Sequence, residues 1–111
     1  MAFRSDLEAL ILGVLQGNAL HGYEIAKRIK ERGGETLAVG EGRLYPALHK
    51  LEADGKVTAK WEPREGKPPR RIYELTEEGQ RELSQQRANW QKFTSGVGSI
   101  LMSANREGSR G

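Results

Sequence analysis

Apolar residues recur with a helical period in the first part of the chain. They lie at positions spaced i, i+3, i+4, i+7 and i+8, the pattern of a helix with one buried face: Leu7, Leu10, Ile11, Val14 and Leu15. The tetrapeptide SDLE at 5–8 has the form of a capping box, and the glycine and asparagine at 17–18 end the segment. A first helix is therefore predicted between these two signals.

A second helix is predicted from about His21 to Arg32. Ile25, Ala26 and Ile29 fall on one face, the lysines and arginines between them face water, and two glycines at 33–34 stop the helix. The apolar triplet at 37–39 predicts a very short strand after that stop.

A proline determines where the third predicted helix starts. Pro46 has no backbone donor and is tolerated near a helix start, so this helix should begin near Gly42 or Arg43. The aspartate and glycine at 54–55 close it. Its inner side carries Leu44, Ala47, Leu48 and Leu51.

The hydrophobic period then changes from helical to alternating. Val57, Ala59 and Trp61 alternate with polar residues, and a second alternating run covers 71–75, so a two-stranded hairpin is predicted. Trp61 is expected to pack in the core or at the sheet edge. The connection 63–70 is rich in proline, glycine and charge, which predicts a flexible projecting tip, the wing.

A long final helix is predicted from Thr76 to about residue 102. Thr76 is a good N-cap, and Glu77 and Glu78 suit the positive end of the helix dipole. Apolar residues at and near every seventh position form a seam for a partner helix: Leu83, Trp90, Phe93, Val97 and Ile100. Gly96 and Gly98 each lower the helix propensity by about 1 kcal/mol relative to alanine.

The predicted order of helix, helix, helix, hairpin and helix is that of a winged helix-turn-helix domain with an added pairing helix. The fold class is therefore mainly α with a small β-hairpin. We divide the chain into a winged helix-turn-helix domain at 1–76, a C-terminal dimerisation helix at 77–104 and a disordered tail at 105–111. A chain of 111 residues builds only one small core, which favours association with a second chain.

Composition excludes several classes of protein. The absence of cysteine excludes disulfides, thiolate metal sites and cysteine nucleophiles. No apolar run approaches the roughly 18 to 20 residues of a membrane span, and no signal peptide is visible, so a cytoplasmic protein without membrane contact is expected. His21 and His49 have no companions at metal-site spacing, and no glycine-rich phosphate loop occurs, so neither an enzyme nor a cofactor is predicted.

The net charge of +3 is concentrated in one stretch. Residues 1–39 and 72–111 each carry five basic and five acidic side chains, whereas residues 43–71 carry eight basic and four acidic ones. A local positive excess of this kind is typical of a surface that binds a polyanion.

Three segments resemble the signature of PadR-family transcriptional regulators. They are LHGYEI at 20–25, GRLYPALHKLE at 42–52 and RIYELTEEG at 71–79, in the family's order. The resemblance implies a bacterial homodimeric repressor whose third helices enter successive major grooves of a pseudo-palindromic operator. The single C-terminal helix is similar to that of the small subgroup that includes multidrug-sensing repressors. In some of its members a tryptophan matched by Trp90 lines an apolar pore and stacks on planar ligands, which implies a small aromatic effector.

The outer side of helix 3, the wing and the start of helix 2 are expected to contact double-stranded DNA. Arg43 is the candidate for base recognition, because arginine can bind the guanine edge with two hydrogen bonds, and Tyr23 has a phosphate contact or packing as alternatives. The complete set of expected DNA-binding residues is Tyr23, Arg43, Tyr45, Pro46, His49, Lys50, Lys67, Arg70 and Arg71.

Two alternatives stay open from the sequence. Trp90 and Phe93 form either part of the dimer core or a ligand site. The whole chain could also be a winged-helix module for protein-protein contact, whose C-terminal seam binds a different helical partner. The concentration of positive charge on helix 3 and the wing favours DNA.

Overall fold

The computed structural model describes residues 6–110, with the side chains of residues 7–103. Its elements are α1 (Asp6–Leu15), β1 (Leu20–His21), α2 (Gly22–Gly33), a 3-10 helix (Glu35–Leu37), α3 (Glu41–Ala53), β2 (Val57–Arg64), β3 (Lys67–Leu75) and α4 (Glu77–Arg110). The predicted winged, mainly helical fold class is confirmed. The serine of the predicted capping box at 5–8 lies outside the described residues. Within the described part, no helix is long and apolar enough to cross a membrane.

The first three helices pack around one core. α1 contacts α2, α3, α4 and β3, so it is buried on more sides than its sequence period indicates, and Leu12 joins the core although it lies off the predicted face. The largest fully buried side chains are Ile11, Leu12, Leu15, Ile25, Leu44, Leu48 and Leu51. The predicted inner faces of α2 and α3 agree with this burial.

The predicted strand at 37–39 is wrong. Gly34 adopts a φ of 78°, and the N–H of Leu37 donates to its carbonyl at 3.1 Å, which winds the chain into a 3-10 turn. The third strand of the sheet is instead β1, whose Leu20 and His21 pair with β3 in the order β1-β3-β2. A two-residue strand exists only through its partner, so local sequence does not reveal it.

The predicted flexible tip at 63–70 is also wrong. β2 and β3 pair as far as Arg64 and Lys67, and Gly66 closes the turn with a φ of 72°. β1 reaches only residues 72–73 of β3, so Pro68 and Pro69 lie where β3 pairs on one side alone. Proline lacks a backbone donor and is tolerated at such an edge. The wing is therefore an ordered hairpin.

The start of α4 is fixed against the sheet. The hydroxyl of Thr76 accepts from the N–H of Gly79 at 3.0 Å and donates to the carbonyl of Gly55 at 2.6 Å, which confirms the predicted N-cap. A Cβ atom at Gly79 would lie 2.0 Å from the carbonyl oxygen of Lys56, so only glycine allows this approach.

α4 is longer than predicted. It is continuous through Gly96 and Gly98 and is described to Arg110, so it includes most of the segment predicted as a disordered tail at 105–111. Leu101 and Met102 after the two glycines have high helix propensity, which favours continuation of the helix. At about 1.5 Å per residue its 34 residues span roughly 50 Å.

Candidate nucleic-acid interface

α3 turns one face to the core and the opposite face to solvent. Leu44, Leu48 and Leu51 are 0% exposed. The outer side carries four of the expected DNA-binding residues, all of them exposed: Arg43, Pro46, His49 and Lys50. A helix with this division can lie in a groove without disturbing the core.

Pro46 lies in the second turn of α3, because the helix begins at Glu41, slightly before the predicted start. Its missing N–H leaves only the carbonyl of Gly42 without an intrahelical donor. Both residues are exposed, so water can satisfy that carbonyl.

Tyr45 is half-buried between α3 and the start of α2. A Cβ atom at Gly22 would lie 2.5 Å from the Tyr45 hydroxyl oxygen, so glycine is required for the phenol ring to lie there. Tyr23 is 66% exposed, which excludes a core-packing role, and its ring stacks on that of His21 with 6.2 Å between the centroids. The start of α2 thus presents aromatic rings beside the outer face of α3.

A cleft of about 510 Å³ separates α2 and α3 from the wing. Five of the expected DNA-binding residues meet in it, together with an additional arginine and no carboxylate. The lining residues are His21, Gly22, Tyr23, Tyr45, His49, Arg64, Arg70, Arg71 and Tyr73. A concave surface lined by three arginines favours an anion, and two of them, Arg70 and Arg71, also pair with carboxylates outside the lining.

Arg43 and Lys67 lie outside this cleft. Arg43 is in the first turn of α3, beside the residues that connect the 3-10 helix to α3. Lys67 is exposed beside the turn at the wing tip. Within the described part of the chain neither side chain forms an ion pair, so both remain available to a phosphate or a base.

Two other expected contacts already have carboxylate partners. Lys50 Nζ donates to Asp54 at 2.9 Å, and this hydrogen bond raises the pKa of Lys50 and lowers that of Asp54. Arg70 Nε donates to Glu62 at 2.8 Å across the wing. Exposed pairs of this kind contribute little to stability, so a phosphate can compete for either cation.

Arg71 is predicted to be a free cation on the wing, but in the structure it is paired with a carboxylate. Its Nη2 donates to Glu52 of α3 at 2.9 Å, and its Nε is buried. The guanidinium lies 5.5 Å from the ring centroid of Trp61 and 5.9 Å from that of Tyr73. Trp61 itself is 64% exposed, so its expected core or edge packing is replaced by this stacking.

Four lining residues of the cleft are not among the expected DNA-binding residues: His21, Gly22, Arg64 and Tyr73. Arg64 falls within the predicted flexible tip, but it lies in β2, and its Nε donates to the carbonyl of Pro68 at 2.9 Å. His21 precedes α2, and its Nδ1 accepts from the N–H of Glu24 at 3.4 Å as the N-cap. Burial and then the charge of Arg70 lower the pKa of His21. The sequence signal for His21 was its position at the start of the predicted second helix, which is the helix that faces the cleft.

Most of the described part of α4 is exposed to solvent. Leu83 is 3% exposed and packs in the core, so its predicted place in the dimer seam is corrected: a side chain with no free surface has nothing left to bury. From Ser84 to Ser103 no residue is buried. The seam residues Trp90, Val97 and Ile100 are exposed, and so are Leu101 and Met102, which the prediction omitted. The spacing of four from Val97 would have indicated Leu101.

An apolar groove lies between α1 and the middle of α4. It has a volume of about 510 Å³ and is lined by Ala9, Leu10, Gly13, Leu37, Leu83, Gln86, Arg87 and Trp90. The ring of Trp90 stacks on that of Phe93, with 6.0 Å between the centroids. The part of the chain that the structure describes holds no cluster of three or more His, Asp or Glu side chains that could bind a metal ion.

Three packed helices, a paired wing and a cationic cleft between them define a winged helix-turn-helix protein. Residues 11–85 match the model of a family described as the transcriptional regulator PadR-like family. The chain is 34% identical over 77 residues to the negative transcriptional regulator PadR of Bacillus subtilis. The matched region covers 69% of this chain and 42% of that relative. It is 32% identical over 84 residues to a transcriptional regulator of Mycobacterium tuberculosis, covering 76% and 75% of the two chains.

Solved structures agree with this match. A PadR-like transcription factor from Bacteroides fragilis superposes with a TM-score of 0.75 and 31% identity, over 87% of this chain and 91% of that chain. Bacillus subtilis PadR in complex with operator DNA gives a TM-score of 0.68 and 32% identity, over 75% of this chain and 46% of that chain. The chain belongs to the PadR-like family of transcriptional regulators. This membership confirms the predicted family and the prediction that the chain is not an enzyme.

Proposed function

We propose that the chain is a transcriptional repressor that binds a palindromic DNA operator as a homodimer. The observation that carries the proposal is the cleft between the start of α2, the outer face of α3 and the wing, which is lined by three arginines of the wing and by no carboxylate. When α3 lies in a major groove, the phosphate backbone beside that groove passes between α3 and the wing. The operator complex of the structurally similar Bacillus subtilis PadR supports the same mode.

The side chains divide into base-recognising and phosphate-binding groups. Arg43, exposed and without an ion pair in the described part, recognises a guanine in the major groove. The groups at the cleft and the wing bind the backbone and position the protein: Tyr23, Tyr45, His49, Lys50, Arg64, Lys67 and Arg70.

The dimer is proposed to form through α4. Its residues from Ser84 to Ser103 contain no buried side chain, yet they include a series of exposed large apolar ones, an arrangement that water disfavours. A two-fold axis through this helix gives two α3 helices about 34 Å apart, one turn of B-DNA, and hence a palindromic operator.

An effector site is proposed in the groove beside Trp90. The exposed indole ring and the apolar lining suit a small planar apolar molecule. Binding there would change the angle between subunits and lower the affinity for DNA, through a different affinity for two dimer states. Anilinonaphthalene sulfonate should fluoresce on binding to the wild type and much less on binding to Trp90→Ala. Equal fluorescence with both proteins would remove Trp90 from the site.

Selection of bound sites from random duplexes tests the central proposal. The expected result is a palindrome with half-sites one helical turn apart. On the selected duplex, neutralising about six phosphates should give a slope of log affinity on log salt near minus five. A flat salt response and no enriched sequence would contradict the proposal and favour a protein-protein module.

A further inference from the structure

One contact joins the two parts of the interface. Arg71 lies on β3 of the wing, Glu52 lies on α3, and their hydrogen bond of 2.9 Å crosses the gap between these elements. Both side chains are about one-third exposed, so the pair is partly shielded from water.

Aromatic rings fix the orientation of the guanidinium. Trp61 faces Arg71 across the β2–β3 pairing, and the guanidinium lies over the rings of both Trp61 and Tyr73. Tyr73 is buried, so its ring provides a rigid base for the stack. A planar guanidinium stacked in this way retains only a narrow range of hydrogen-bonding directions, and here they point to α3.

We propose that Glu52 and Arg71 are a positioning pair that holds the wing at the angle to α3 at which both elements reach one DNA duplex. The proposal rests on the proposed DNA-binding function. We assign Arg71 to the wing's position and not to phosphate binding, because its Nε is buried and its Nη2 is engaged by Glu52, which leaves only Nη1 for a further ligand. A displaced wing would lose the contacts of Arg64, Lys67 and Arg70 together.

The substitution Glu52→Gln should change the DNA affinity in opposite directions, depending on whether Arg71 binds phosphate or positions the wing. If Arg71 binds phosphate directly, removal of the competing carboxylate frees the arginine and strengthens DNA binding. If the pair positions the wing, the same substitution weakens binding although it removes a negative charge. We expect a weakening on the order of tenfold, as for the loss of about one charged hydrogen bond.

Glu65→Gln is the matched control. Glu65 is exposed in the wing turn and forms no ion pair with the described residues, so its substitution removes the same charge without touching the pair. It should strengthen DNA binding slightly. Tighter binding by Glu52→Gln to the same extent as by Glu65→Gln would overturn the proposal.

A double-mutant cycle tests the wing directly. Lys67→Ala should weaken binding in the wild type but have little further effect in Arg71→Gln, because the wing is already displaced there. Independent phosphate contacts would instead give additive losses, and additivity would overturn the proposal.

A fluorescence readout checks the contact without DNA. The chain has two tryptophans, so in a Trp90→Phe background Trp61 is the only one. Acrylamide quenching of Trp61 should increase in Arg71→Gln at an unchanged melting temperature, and unchanged quenching would contradict the stack. Failure of the wild type to bind any duplex would contradict the proposed function, whereas normal wild-type binding with unaffected variants would contradict only the positioning role.

Discussion

Gly22 and Tyr45 are in contact where α2 meets α3, and the phenol ring occupies the space that a side chain at position 22 would need. A Cβ atom there would lie 2.5 Å from the hydroxyl oxygen of Tyr45. The contact places an aromatic hydroxyl of α3 in the cleft beside the wing. The LHGYEI and LYPAL segments, far apart in sequence, are thus packed against each other.

Gly22→Ala should lower DNA affinity more than it lowers stability. The contacting atoms lie at the outer end of the Tyr45 side chain, so the ring can swing away from a methyl group and leave the cleft. The loss of unfolding free energy in Gly22→Ala should therefore not exceed the roughly 1 to 3 kcal/mol that is typical of an overpacked core. Urea unfolding and DNA titration measure the two effects.

The control for this substitution is the same change in a Tyr45→Ala background. Without the phenol ring, alanine at position 22 should be neutral or stabilising by up to about 1 kcal/mol, as usual in a helix. Equal destabilisation in both backgrounds would show that the ring is not the obstacle.

Stability should fall as the pH drops below about 6.5. Burial and then the charge of Arg70 lower the pKa of His21 in the folded state, so at mildly acidic pH the unfolded chain binds a proton more readily than the folded chain does. The free energy of unfolding therefore begins to fall near the unfolded-state pKa of His21 and stops falling once the pH is below its folded-state pKa. His21→Asn keeps a capping side chain but does not titrate, so its unfolding free energy should depend less on pH below about 6.5. Identical slopes for both proteins would exclude His21 as the source.

Ile100→Glu should convert the proposed dimer to a monomer. Ile100 is 71% exposed on the part of α4 in which no described residue is buried, and a charge there cannot be buried against a second helix. Sedimentation velocity measures the mass, and operator affinity should fall with it. Ser99→Glu, one residue away, is the control and should remain dimeric. Dimers of both variants would place the interface elsewhere.

Arg43→Ala and Lys67→Ala should have different effects on DNA binding. Loss of Arg43 should relax the preference at one operator position, with about 1 to 3 kcal/mol less discrimination. Loss of Lys67 should weaken binding to all sequences and reduce the salt slope by about one. Affinities for the selected site, its single-base variants and random duplex measure both. The same pattern from both variants would show that base recognition and anchoring are not separated in this way.

The sequence by itself determined the order of the four helices and the hairpin, and the inner faces of α2 and α3. Burial of Leu44, Leu48 and Leu51 follows from helical spacing, and the N-cap at Thr76 follows from local chemistry. These features depend on residues within one or two turns of each other, so a periodic pattern is sufficient to find them.

Only the tertiary structure decided which residues meet. β1 exists because β3 lies beside it, the prolines of the wing are tolerated because the sheet has an edge there, and Leu83 belongs to the core because α1 covers it. Arg71 points to α3 because Glu52, Trp61 and Tyr73 surround it. Such partners are distant in sequence, and the free energy that selects them comes from packing and charge between elements, which no local pattern contains.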